Sequence, residues 1–142
     1  MKRAWWLLAI LLLLGSSAAL AQEPTVMPQL VVNARYVYVT TYDGPSWSPN
    51  VLPDDRRAAG DVEEALRAWG KYMVVPRPED AELIFVVMAR PSEDILAVYR
   101  GRPVLSSIPL WREAQKGGLD SKDMPLMAKF RKAVEAAEKR TR

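Results

Sequence analysis

The 142-residue chain contains no cysteine and no histidine. Without histidine there is no imidazole general base, no Ser-His-Asp triad and no histidine-held zinc. Without cysteine there is no thiol nucleophile, no iron–sulfur cluster, no covalently attached haem and no disulfide. Carboxylate, hydroxyl and lysine chemistry is what is left. The serines fall in neither an S-x-x-K nor a G-x-S-x-G context, which leaves the lysine-activated and elbow-type nucleophiles without support. Gly117-Gly118 is an isolated pair that reads as a turn rather than a phosphate loop, and no alternating-acid calcium loop occurs. No residue pattern calls for a cofactor or a metal.

Long apolar runs are scarce as well. Ala4–Leu14 is the longest, and it stops well short of the about 20 residues needed to cross a bilayer. Lys2 and Arg3 precede it, and Gly15, Ser16, Ser17 and the A-x-A sequence Ala19-Leu20-Ala21 follow it. This reads as a secretory signal peptide cleaved after residue 21. The expected location is the periplasm or the exterior, with no membrane anchor after cleavage. Losing Lys2 and Arg3 lowers the formal charge from +3 to +1, so the balance predicts no nucleic-acid partner.

Residues 22–29 read as an extended lead-in and 30–142 as one small domain, long enough to bury a core without staples. Leu30–Tyr42 is β-branched and aromatic without Gly or Pro, which predicts a strand with apolar bulk on both faces. Pro53-Asp54-Asp55 opens a helix, because proline suits its first position and carboxylates suit its positive end. Ala58, Val62, Ala65, Leu66 and Trp69 form its apolar stripe, Glu63 and Arg67 can pair at i, i+4, and Gly70 stands where a cap belongs. "KYMVV", Ala81–Ala89 and "ILAVYR" read as strands, and "VLSS" as a possible further piece. Pro109–Glu113 fits either a strand or a helical turn. A last helix is expected from Ser121–Asp123, with Leu126, Met127, Phe130, Val134 and Ala137 facing the core. The fold class is therefore α/β, or α+β: a small mixed sheet of four to five strands with two helices, in the order β-α-β-β-β-(β)-α. The connection through the first helix is long enough for a parallel crossover. The link Pro76–Asp80 is not, so the second and third strands are antiparallel neighbours or not neighbours at all.

Tyr42–Asn50, "YDGPSWSPN", stands out chemically: two aromatics, two prolines and a glycine at the carboxyl end of the first strand, where ligands of α/β sheets gather. Trp47 beside Tyr42 could stack on a sugar or fill a partner's pocket. Since buried aromatics are the common case, the default expectation is that Trp47 folds back over the sheet edge while Pro45 and Pro49 stiffen a corner. Asp43, Asp54 and Asp55 flank the loop, and a carboxylate pair at glycosidase spacing would be a hydrolytic site. Turn and helix-start roles account for the same three acids. Asn50 completes the candidate set of Tyr42, Asp43, Trp47, Asn50, Asp54 and Asp55. Lys129, Arg131, Lys132, Lys139, Arg140 and Arg142 outnumber Glu135 and Glu138 on the last helix. Such a surface could meet an anionic partner, but a solvated face matching the helix dipole explains it more simply.

The stretches "YVYVTTYDGPSWSPNVLPDDRRA", "ALRAWGKYMVVPRPEDAELIFVV", "DILAVY" and "PLWREAQKGGL" resemble small secreted proteins of acidobacterial type whose function is unassigned. The aromatic-Asp-Gly-Pro turn with Ser-Pro-Asn and Leu-Pro-x-Asp-Arg is the most specific part. Such proteins carry a longer glycine-rich insert between the "LIFVV" and "ILAVY" strands, where this chain has only Arg90–Asp94. The order of elements is also similar, at fold level, to the amino-terminal domain of TolB and related envelope lipoproteins. Neither resemblance brings catalytic residues, and a fold does not carry a function. Together these readings favour a non-enzymatic envelope protein that binds another envelope protein or a glycan. The alternatives are a carboxylate-dependent hydrolase of envelope glycans using Asp43 with Asp54 or Asp55, and a structural subunit of an envelope assembly.

Overall fold

A computed structural model describes residues 26–101, 108–120 and 123–142. The leader, the run Val104–Ser107 and the cap candidate Ser121 lie outside those residues. The elements in chain order are α1 (Gln29–Asn33), β1 (Tyr36–Thr41), α2 (Pro53–Trp69), β2 (Met73–Val74), a 3-10 turn (Pro78–Asp80), β3 (Leu83–Ala89), β4 (Asp94–Arg100), β5 (Trp111–Gln115) and α3 (Pro125–Thr141). The five strands make one mixed sheet in the order β2-β1-β3-β4-β5. β1 is parallel to both β2 and β3, whereas β3–β4 and β4–β5 are antiparallel. The α+β class holds and the predicted order holds roughly, with three helices where two were expected, and the ambiguous "PLWRE" enters a strand at Trp111.

β2 and β3 are not neighbours; they flank β1 on either side. Their short link crosses the start of β1, where Glu82 N–H donates to the Tyr36 carbonyl at 2.9 Å. The Glu82 carboxylate accepts from the N–H groups of Arg35 and Tyr36 at 2.7 and 3.0 Å. These two backbone donors hold the Glu82 carboxyl below its usual range. Opposite this crossing, a Cβ on Gly101 would lie 2.3 Å from the Ala81 carbonyl oxygen, so only glycine fits.

The predicted strand Leu30–Tyr42 is corrected at its start. Gln29–Asn33 is helical, and only Tyr36–Thr41 is strand. Local β-propensity yields here to tertiary packing. Pro28 sets the entry angle, its carbonyl accepts from Val31 N–H at 2.9 Å, and Val31 is fully buried. The Val31 carbonyl accepts from the buried Tyr72 hydroxyl at 2.8 Å, which ties the turn to the core.

α2 starts at Pro53 and ends at Gly70, whose φ of 74° and N–H bond to the Leu66 carbonyl make a left-handed cap. Its buried stripe is Asp55, Ala58, Ala59, Val62 and Leu66, so small residues set it close against the sheet. α3 buries all five predicted residues. It is entered through Met124 in a left-handed conformation (φ 33°) with no side-chain cap, so the expected cap at Asp123 does not form. Phe130 is at the centre of the core, with edge-on ring contacts to Phe85, Trp69 and Trp111. Val37, Val39, Phe85, Val87, Leu96 and Val98 all join this core, as strict alternation along β1, β3 and β4 requires. No helix among the described residues is long and apolar enough to cross a membrane.

Candidate functional site

The loop from Tyr42 to Leu52 joins the end of β1 to α2 and is fixed at many points. Thr41 and Gly44 exchange two main-chain hydrogen bonds, each 3.1 Å, and the Thr41 hydroxyl donates to the Gly44 carbonyl at 2.6 Å. Gly44 has φ 116°, a conformation side chains rarely adopt, which explains glycine at this corner. Further along, Ser48 N–H donates to Pro45 and Val51 N–H to Ser48, at 2.8 and 3.2 Å. Arg56 on α2 reaches back to the carbonyl of Val51 at 2.9 Å, and Val51 itself is buried. Two prolines and this network leave the loop little freedom.

A second anchor lies beneath it. Arg90, directly after β3, donates to Asp55 Oδ1 at 2.5 Å and to Asp43 Oδ2 at 3.2 Å. Asp55 also accepts from Ala89 N–H at 2.7 Å. Its side chain is wholly buried and its second oxygen, Oδ2, has no hydrogen-bond partner among the described residues. The bond to Asp55 raises the Arg90 guanidinium above its already high ordinary value, so it carries full charge throughout. One cation thus ties together the start of the loop, the first turn of α2 and the end of β3. Arg90 N–H also bonds Asp94 Oδ1 at 3.3 Å, and the buried Asp94 takes Leu119 N–H at 2.8 Å, which extends the anchor to the β5–α3 link.

The structure separates the six candidate residues. Asp43 and Asp55 meet on Arg90, whereas Asp54 is exposed and pairs loosely with Arg57 at 3.7 Å. Asp55 does stand in the first turn of α2, as expected of a helix-start acid, but it is wholly buried there, which seals it from any substrate. Tyr42 and Trp47 are 68% and 66% exposed, and Asn50 is exposed. The default expectation that Trp47 folds back over the sheet is therefore corrected. The loop bonds hold its backbone away from the core, and Val51 is the loop residue that packs inward.

Trp47 instead stands at a cavity of about 380 Å³ on the open edge of β1, lined also by Tyr38, Val39, Ser46, Glu63, Arg67 and Pro76. The expected Glu63–Arg67 pair is formed at 2.8 Å along this wall. Burial first, and the Glu63 charge second, push the Tyr38 phenol above its ordinary value, so it remains a protonated hydrogen-bond donor at neutral pH. Tyr38, Glu63 and Arg67 are the site residues the sequence reading missed, because a short β2 that leaves β1 uncovered gives no local signal. Among the described residues no group of three or more His, Cys, Asp or Glu could hold a metal ion. The chain matches no family model, no curated protein and no solved structure.

Proposed function

We propose that the chain is an exported, non-enzymatic binding protein of the cell envelope whose contact surface centres on Tyr42–Pro53. The observation that carries this reading is an indole 66% exposed on a loop held at both ends by hydrogen bonds and a buried ion pair. An exposed tryptophan on a mobile loop would lose much of its binding energy to ordering. On a fixed loop that cost is already met in the fold, so the ring's contact area is available to a partner.

The carboxylate hydrolase reading finds less support. Asp55 is out of reach of water, Asp43 is bound by Arg90, and Asp54 faces solvent on its own pair. Capture from an envelope extract on immobilised protein tests the binding reading. Wild type is expected to retain a component that Trp47→Ala releases, and equal retention by both refutes it.

A further inference from the structure

The cavity beside Trp47 is a gap in the sheet's hydrogen-bond ladder, and its dimensions and chemistry restrict what can enter. On the outer edge of β1, Val75 N–H donates to the Val37 carbonyl at 2.8 Å, after which Pro76 turns the chain away. Two residues beyond Val39, the N–H and C=O of Thr41 are closed on Gly44. Alternate residues of a strand turn their main-chain groups to the same edge, so Val39 presents one N–H and one C=O there. No hydrogen bond between described residues takes up these two groups on that edge. The gap from Val37 to Thr41 spans about 13 Å at the usual rise per residue. An extended peptide needs successive rungs at two-residue spacing, and the rungs on both sides are already occupied. Strand addition is therefore excluded at this place.

What remains is a slot with an aromatic wall, a main-chain donor and acceptor on its floor, and a polar rim. The rim offers the Glu63 carboxylate as acceptor, the remaining N–H groups of Arg67 as donors, and the hydroxyls of Tyr38 and Ser46 as either. Glu63 and Arg67 cancel in charge, which favours an uncharged ligand over an anion or a cation. A pyranose ring has the complementary surface: a C–H face that lies on an indole, and an edge of hydroxyls that each donate and accept. The volume of about 380 Å³ is at the small end of the range for ligand sites. Building on the binding function proposed above, we infer that this slot holds one neutral pyranose unit of a glycan, stacked on Trp47 and hydrogen-bonded by Glu63, Arg67 and the Val39 main chain.

The test is a printed array of neutral oligosaccharides, acidic oligosaccharides and extended peptides, followed by titration of ¹⁵N-labelled protein with each compound retained. The inference expects retention of neutral oligosaccharides, with the Val39 amide resonance shifted on binding. Trp47→Ala and Glu63→Gln should each weaken binding about ten-fold or more. The thermal midpoint of Glu63→Gln should not move, since an exposed ion pair contributes little to stability. Retention of acidic glycans or peptides alone overturns the inference, as does an array with no hit or binding unaffected by both substitutions. A blank array together with Trp47-dependent, protease-sensitive capture from envelope extract leaves the broader binding reading standing and removes the sugar. A blank array with capture independent of Trp47 removes both.

Discussion

Replacing Arg90 by methionine isolates the contribution of the anchor under the loop. The methionine keeps much of the aliphatic stem, so the loss is that of the guanidinium. Asp55 would then be a wholly buried carboxylate holding only the Ala89 N–H, with Oδ2 already unpartnered among the described residues. Leaving one partner of a buried pair uncompensated costs about 3–5 kcal/mol. Arg90 is 26% exposed, and water reaching the vacated site places the expected cost near the lower end. For a chain of this length that corresponds to a fall of roughly 10–15 °C in the unfolding midpoint.

A double-variant cycle separates this explanation from simple loss of packing. Asp55→Asn removes the charge but keeps an oxygen able to accept the Ala89 N–H. Arg90→Met in the Asp55→Asn background should therefore cost less than in wild type by about 2 kcal/mol, a coupling typical of direct partners. Denaturant unfolding followed by circular dichroism gives both numbers, with the slope checked for a constant unfolded state. Additivity within about 0.5 kcal/mol would refute the argument that buried charge, rather than volume, makes Arg90 necessary. The anchor also positions the loop, so Arg90→Met should speed proteolytic cutting within 42–52 at temperatures where the sheet stays folded.

Trp47→Ala should lower stability by less than about 2 kcal/mol, because two thirds of the residue is already exposed, against about 3–5 kcal/mol for a buried tryptophan. A larger drop on thermal unfolding would mean that the ring is a structural plug. Glu82 has a folded-state value below its unfolded one, so its contribution is present above the unfolded value near 4.5 and fades as the pH falls through the folded one. Glu82→Gln should accordingly flatten the acid limb of the stability–pH curve, and an unchanged limb contradicts this. Tyr72 is raised by burial and, less, by Glu138, so folding is opposed once the pH passes the unfolded tyrosine value near 10. Tyr72→Phe should cost about 1–3 kcal/mol at pH 7, where it orphans the Val31 carbonyl. It should also remove part of the alkaline loss, and both effects are read from denaturant midpoints across pH.

How much of this was legible in the sequence depends on the range of the interaction concerned. α2 was readable at both ends because Pro53, the acids after it and Gly70 act within a turn of their own positions. The core face of α3 was readable because its period is local. α1 was not, since what makes Gln29–Asn33 helical is Val31 fitting the core and Tyr72 capping its carbonyl from 41 residues away. Arg90 was invisible for the same reason. As a lone basic residue ahead of Pro91 it reads as a turn. Once β3 is known to lie parallel to β1, both strands must end at the same rim, and a cation there faces Asp43 and the first turn of α2. The acids alone suggested chemistry or capping; the sheet order turns them into an anchor.

That anchor bears on why the proposed binding loop sits at this end of the sheet. A parallel β1–α2 connection must leave β1 at its carboxyl end, and α2 must begin with unsatisfied N–H groups and a positive dipole near the same point. Asp55 in the first turn of α2 answers the dipole, Arg90 answers Asp55, and Asp43 takes the remaining side of Arg90. Satisfying the helix start thus adds a fixed base to a loop that its own hydrogen bonds already hold. Its tip is then free to carry residues that the fold does not need, and Trp47 and Tyr42 are two such residues. On the neighbouring edge, β2 contributes only Met73–Val74 before Pro76 ends it, so the rung at Val39 stays open beside the ring. Rigidity from the anchor and vacancy from the short strand have separate causes. They coincide at Trp47, and changing either, with Arg90→Met or by filling the Val39 slot, should weaken binding without touching the indole itself.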